Sequence, residues 1–224
     1  METIAVQIAS PPLSFEDAAE DSRARQIVEA AYHLLDESGL EGLTIRAVLA
    51  RTGLARRAFY DNFSGKDDLV LAVFEQTIRL AADHYRRQVG GLAAPIERLR
   101  IIVTSISLGA ASIDSVPDGG LGAGHRRSAA LSREHMRLAN TQPLKLQAAL
   151  APLLALIAEC LHDGVAAGEM RPCDADLQAT LIYNLVSTTV HTELIAEEAA
   201  RPDRERRLRL AEVLWDFCRR AIVA

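Results

Sequence analysis

The run at residues 44–66, Thr-Ile-Arg-Ala-Val-Leu-Ala-Arg-Thr-Gly-Leu-Ala-Arg-Arg-Ala-Phe-Tyr-Asp-Asn-Phe-Ser-Gly-Lys, leaves few folds open. It reads as two short helices meeting at a sharp turn. Thr44 is suited to cap a helix in which Ile45, Val48 and Leu49 recur at helical spacing, and Gly53 supplies the left-handed backbone that ends it. Leu54 fills the corner. A second helix follows from about residue 55, with Ala58, Phe59, Asn62 and Phe63 on its inner side and Arg56, Arg57, Tyr60 and Asp61 directed elsewhere.

This helix-turn-helix pattern carries chemistry suited to DNA. A helix that enters the major groove by its N-terminus brings its first turn to the base edges, and here that turn holds Arg56 and Arg57. Over residues 46–66 the charges are Arg46, Arg51, Arg56, Arg57 and Lys66 against Asp61 alone, although the whole chain carries a net charge of -5. A local basic face on an acidic body fits a selective binder better than a protein that coats nucleic acid. The competing reading is a hairpin in a core whose arginines are a solvated face, and that reading does not require Tyr60, Phe63 and Lys66 in this order.

The order Thr-x-Arg, Gly-Leu, then Arg-Arg-Ala-Phe-Tyr-Asp-Asn-Phe-Ser-Gly-Lys-Asp-Asp-Leu resembles the DNA-binding domain of the TetR/AcrR family of bacterial repressors. The resemblance covers residues 22–73. It implies an all-α homodimer with an N-terminal three-helix DNA-binding domain and a larger helical domain for a small effector and for dimerisation. It also implies that Arg46, Arg56, Arg57 and Asn62 face bases while Thr44, Tyr60 and Lys66 face phosphates. Three positions depart from the family pattern: Ala55 lacks a capping side chain, Ala58 lacks a phosphate-directed hydroxyl, and Leu49 replaces a small residue.

Composition agrees with an all-α chain. Of its 224 residues 49% are hydrophobic, enough for a substantial core, while aromatics are only 4% and alternating β-branched runs are scarce. Residues 1–21, with Pro11 and Pro12 followed by Glu16, Asp17, Glu20 and Asp21, are expected to form a mobile arm. Residues 22–66 are expected to be the DNA-binding domain, and 67–224 the effector and dimerisation domain. Ser22 is read as the cap of the first helix, which Gly39 ends. The odd, scattered Cys160, Cys173 and Cys218 form no metal or disulfide spacing, so a reducing cytoplasm is the expected location. No membrane-length apolar span and no cofactor are expected. The absence of Gly-x-Ser-x-Gly, of His-Glu-x-x-His and of a phosphate loop argues against an enzyme.

The body reads as successive helices. A long one from residue 66 to about 89 is the expected mechanical joint between the domains. Glycines in the 114–124 stretch mark a loop with no strand before it. His125 and His135 lack metal-ligand spacing and are expected in solvent. An apolar effector is expected between the joint helix and helices carrying Ile102, Ile106, Met136 and Leu154, with His84 and Asn184 as further candidates. On the helix from residue 174, Leu177, Leu181, Leu185 and Leu194 are the expected core face. Beside them, the polar stripe of Thr180, Asn184, Thr188 and His191 lines either a pocket or a helix pair. The resemblance makes the last two helices a dimer bundle, with Leu181, Leu185, Thr188, Leu214 and Trp215 at its interface. The alternative function is a helical adaptor without specific DNA binding.

Overall fold

In the computed structural model, residues 15–108, 122–198 and 203–223 are described, and among them all regular structure is helical. The first helix, α1, runs Phe15–Gly42 and is broken at Gly39, where φ is 62°. Ser22 therefore lies inside a helix rather than at its cap, because the periodicity that begins near Ile27 marks the start of the buried face and not of the helix itself. Residues 1–14 of the expected arm lie outside the described residues. Helices α2 (Ile45–Thr52) and α3 (Arg56–Tyr60) follow, then α4 (Lys66–Val89), the expected long joint. Ile27, Leu35, Leu43, Val48 and Phe59 are fully buried and close the core of this first unit.

The body contains α5 (Pro95–Leu108), α6 (Gly122–Thr141), α7 (Pro143–Ala166), α8 (Ala175–Glu198) and α9 (Arg204–Ile222). Helix α7 packs against α4, α5, α6 and α8. By length and composition it is the one described helix apolar enough to cross a membrane, contrary to the expectation that there is none. Its packing gives the reason for the composition: Leu150, Leu153, Leu156, Ile157 and Leu161 are all buried in the core of the body. Pro152 sits inside it without ending it. Gly122 and Gly124, expected in a loop, belong to α6; the remainder of the glycine stretch lies outside the described residues.

Close approaches fix the end of α7. A Cβ on Gly164 would come within 2.5 Å of the Met170 sulfur, so the turn after α7 folds back tightly at Gly168, where φ is 74°. Arg171 then clasps the C-terminus: its N–H donates to the Ile222 carbonyl at 2.8 Å and its guanidinium to the Arg220 carbonyl at 2.8 Å. Arg98 of α5 meets Asp163 of α7 at 2.6 Å.

The two units meet through more than the joint helix. Helix α1 packs along α6, and their shared surface holds an ion pair between Asp36 and the buried Arg127, whose guanidinium lies 4.1 Å from the centre of the Tyr32 ring. Arg137, near the end of α6, pairs with Glu134 at 2.8 Å and reaches Asp67 of α4 at 3.8 Å.

Two thirds of the cysteine complement is shut away. Cys160 and Cys218 are buried, which pushes each thiol up to about 11, whereas Cys173 is exposed. Since the thiolate is the reactive form, a disulfide reagent at neutral pH is expected to modify Cys173 quickly and the other two only on unfolding. Rapid loss of all three thiols in the native protein would contradict this placement.

Candidate nucleic-acid interface

The turn is built as its residues require. Thr44 is extended, and its Oγ accepts from the Ala47 N–H at 3.1 Å, which leaves its hydroxyl hydrogen to donate outward. Gly53 is left-handed at φ 69° and donates to the Leu49 carbonyl, closing α2. The Thr52 hydroxyl donates to the Val48 carbonyl at 3.0 Å and accepts from Leu54 N–H at 3.3 Å, which ties α2 to the turn. Gln26 and Glu37 of α1 hold the far end: the Gln26 amide donates to the Thr52 carbonyl at 3.4 Å, and Arg51 meets Glu37 at 2.6 Å. Arg51 is thereby a brace within the unit.

Helix α3 is short. Ala55 makes no capping hydrogen bond, as its side chain dictates, so the helix owes its position to Phe59, buried and 5.6 Å from the Phe63 ring. That anchor turns Arg56, Arg57 and Tyr60 outward. Arg57 is 91% exposed in its side chain and only 3.8 Å from Asp61, a surface pair that costs little to exchange for a phosphate or base. Arg56 lies against Tyr60, its guanidinium donating to the phenol oxygen at 3.3 Å. Arg46 and Thr44 are also exposed. Five of the seven expected DNA contacts thus share an open surface.

The remaining two are engaged within the protein. The Asn62 amide donates to the Ala58 carbonyl at 2.7 Å, closing the C-terminal end of α3. The Lys66 ammonium donates to the Leu40 carbonyl at 2.7 Å and is half-buried, clamping α4 to the end of α1. Both were expected from the motif to face DNA. Their partners, a helix-end carbonyl and the break at Gly39, are created only by folding.

The body residues are spread over several surfaces. Ile102 is fully buried, while Ile106, Met136, Leu154 and His84 are half-buried. Asn184 points outward with Thr188, so it lies on the stripe side of α8 and not in the core. Leu177 and Leu181, expected to be inward, are more than half exposed; Ile182, Tyr183 and Val186 take the core positions. Leu185 is half-buried against that core. On α9 the expected interface anchors Leu214 and Trp215 are buried in their own chain, and Val213 and Phe217 are the residues left more than half exposed. Only the i, i+4 spacing of Val213 and Phe217 in an otherwise charged face signalled this. His135, expected in solvent, is buried beside Phe74 and Tyr183, and burial, then nearby His191, holds its pKa below the usual histidine value. Among the described residues no group of three or more His, Cys, Asp or Glu is placed to hold a metal ion.

Comparison with known proteins places this geometry. The family described as "Bacterial regulatory proteins, tetR family" matches residues 27–73, which span α1 from Ile27 to Val73 of α4. The HTH-type transcriptional regulator BetI of Paraburkholderia phymatum is 33% identical over 84 residues, 37% of this chain and 43% of that protein. The match therefore spans less than half the length of this curated relative. Two solved structures share the fold over most of the chain. The regulator FadR of Bacillus subtilis, in complex with stearoyl-CoA, aligns with a TM-score of 0.66 at 18% identity, covering 87% of this chain and 96% of that one. A TetR-family transcriptional regulator from Agrobacterium tumefaciens aligns at 0.58 and 19% identity, covering 92% and 100%. The helix-turn-helix is thus similar in sequence to the tetR family of bacterial regulatory proteins over residues 27–73, and the helical body shares the fold of these solved regulators.

Proposed function

We propose that the protein is a transcriptional repressor that binds a palindromic DNA operator as a homodimer and releases it when a small, largely apolar effector enters the body. The observation that carries this reading is the recognition face: Thr44, Arg46, Arg56, Arg57 and Tyr60 are all exposed on α2 and α3, while Phe59 holds the opposite side of α3 in the core. Helices α1 to α3 form the DNA-reading unit, α4 is the joint, and α5 to α9 form the effector and dimerisation domain.

Pairing of two chains explains the outward apolar residues of the body. Leu177, Leu181 and Thr188 of α8, with Val213 and Phe217 of α9, would be covered by a twofold partner. Such a pair sets two α3 helices roughly 34–36 Å apart, one turn of DNA. The effector enters between α4 and the helices bearing Ile102, Met136 and Leu154. The stearoyl-CoA held by the FadR relative supports an apolar ligand for a body of this shape. An effector that favours a different tilt of α4 changes the spacing and lowers operator affinity.

Selection of bound sequences from a pool of random duplexes at near-physiological salt tests the reading. Enrichment of a palindrome with half-sites one turn apart supports it, and failure to enrich any sequence, with or without added cell extract, favours an adaptor. Against the selected site, Arg57→Ala is expected to cost about 1–3 kcal/mol and to relax base preference at one position of each half-site. Lys66→Met is expected to lower the melting temperature and leave the salt dependence of binding nearly unchanged, because the ammonium already serves the Leu40 carbonyl. A fall in the salt slope by about one would instead mean that Lys66 leaves Leu40 for a phosphate.

A further inference from the structure

Helix α3 presents two arginines on its open face, and the structure holds them differently. Arg56 lies back along the helix: its guanidinium carbon is 5.5 Å from the centre of the Tyr60 ring, and its Nη2 donates to the phenol oxygen at 3.3 Å. The outer fork of its donors is therefore already shared. Arg57 meets Asp61, one turn on, through Nε, which lies 3.8 Å from Oδ2. That contact uses the inner part of the guanidinium and leaves the outer edge, Nη1 and Nη2, turned to solvent on a side chain that is 91% exposed.

Asp61 is the one acid in residues 46–66. The acids that follow it are committed elsewhere: Asp68 accepts from the Ser64 N–H at 3.0 Å, and Asp67 lies 3.8 Å from Arg137. A carboxylate on a face suited to DNA repels phosphate, so Asp61 does not serve affinity. Nor does an exposed i, i+4 pair add much stability. What the pair supplies is orientation. A guanidinium held at Nε presents its Nη1 and Nη2 donors side by side, the arrangement that matches O6 and N7 of a guanine in the major groove.

We infer that Asp61 is a specificity-determining residue: it positions Arg57 so that the free edge of the guanidinium reads one guanine in each half-site, and its charge keeps Arg57 from settling on phosphate. This rests on the proposed DNA reading and names the base together with the residue that enforces the choice. Asp61 is a positioning residue and touches no base itself. Where the guanine is missing, Arg57 has only phosphate oxygens to take in exchange, and these bring a second negative charge toward Asp61. The wrong complex is thus penalised as well as the right one favoured.

The experiment is competition binding of the full chain to its selected operator, to operators with each base pair of a half-site replaced in turn, and to a random-sequence duplex over a salt series. It is run on the parent, Arg57→Ala, Asp61→Asn and the double variant. Arg57→Ala is expected to mark the position read, and that position to be a guanine. Asp61→Asn is expected to lower the guanine preference at the same position by about threefold, the scale of an exposed ion pair. It should also tighten binding to the random duplex and steepen its salt slope by about one, as the released Arg57 takes a phosphate. Because each preference is a ratio of affinities measured on one protein, a loss of folded protein cancels from it. In the Arg57→Ala background Asp61→Asn should change nothing further at that position. An unchanged guanine preference in Asp61→Asn, a base other than guanine at the position marked by Arg57→Ala, a further loss there in the double variant, or a preference lost at a different position would each overturn the assignment. A parent that selects no duplex at all overturns the DNA reading, and this assignment with it.

Discussion

Arg127→Met is expected to destabilise the protein by about 3–5 kcal/mol, toward the lower end because the Asp36 side chain keeps 16% exposure. Arginine at this site pairs with Asp36 of α1 and covers the Tyr32 face at 4.1 Å, and methionine fills the volume while removing both interactions. The larger share of the loss comes from a carboxylate left in a nearly closed contact without its guanidinium. Replacing both partners, Arg127→Met with Asp36→Leu, is expected to recover most of the stability, since an apolar pair has no desolvation cost to offset. Urea midpoints of the two single variants and the double variant close a cycle, and a coupling below about 1 kcal/mol would mean that the pair does not hold the units together. The double variant also separates stability from signalling: it keeps α1 on α6 through apolar contact but removes the directional tie, so effector-driven release of DNA should weaken while DNA affinity itself persists.

The helix-turn-helix was readable in the chain because each of its determinants is local. Thr44 caps the third residue after it, Gly53 ends the helix it adjoins, and Phe59 lies within a few residues of its neighbour Phe63. Even there, the roles of Asn62 and Lys66 escaped, since an amide or ammonium goes to whichever carbonyl the fold exposes, and Leu40 is 26 residues from Lys66. In the body the difficulty was of another kind. Helix α8 is apolar on two sides, so periodicity assigned Leu177 and Leu181 to the core when Ile182, Tyr183 and Val186 fill it. Trp215 was placed at an interface because the resemblance makes the last two helices a dimer bundle, and the packing of α9 against α5 turns it inward. Arg127 lies 91 residues from Asp36, and the burial of His135 depends on Phe74 and Tyr183 from two other helices. No spacing rule within α6 reports such partners.

Phe59→Ala is expected to cost about 3–5 kcal/mol and to abolish operator binding. The side chain is fully buried and touches the Phe63 ring, so its loss opens a cavity in the small core under α3. Helix α3 has no reserve against this. It spans only Arg56–Tyr60, starts at Ala55 without a side-chain cap, and is too short to persist by its own hydrogen bonds. Packing through Phe59 is what converts that segment into a helix with Arg56 and Arg57 facing outward. Helix α3 packs on α1 and α2, while the buried residues around α7 come from other helices, so the variant should keep most of its helical signal while amides of α2 and α3 exchange faster. Tyr60→Ala supplies the contrast: the residue is exposed, its removal should change stability by less than about 0.5 kcal/mol, and any loss of DNA affinity there reports a contact with DNA. Operator affinity within threefold of the parent in Phe59→Ala would show that α3 is held by something other than its buried face, and the reading of the recognition surface would have to be rebuilt from α2.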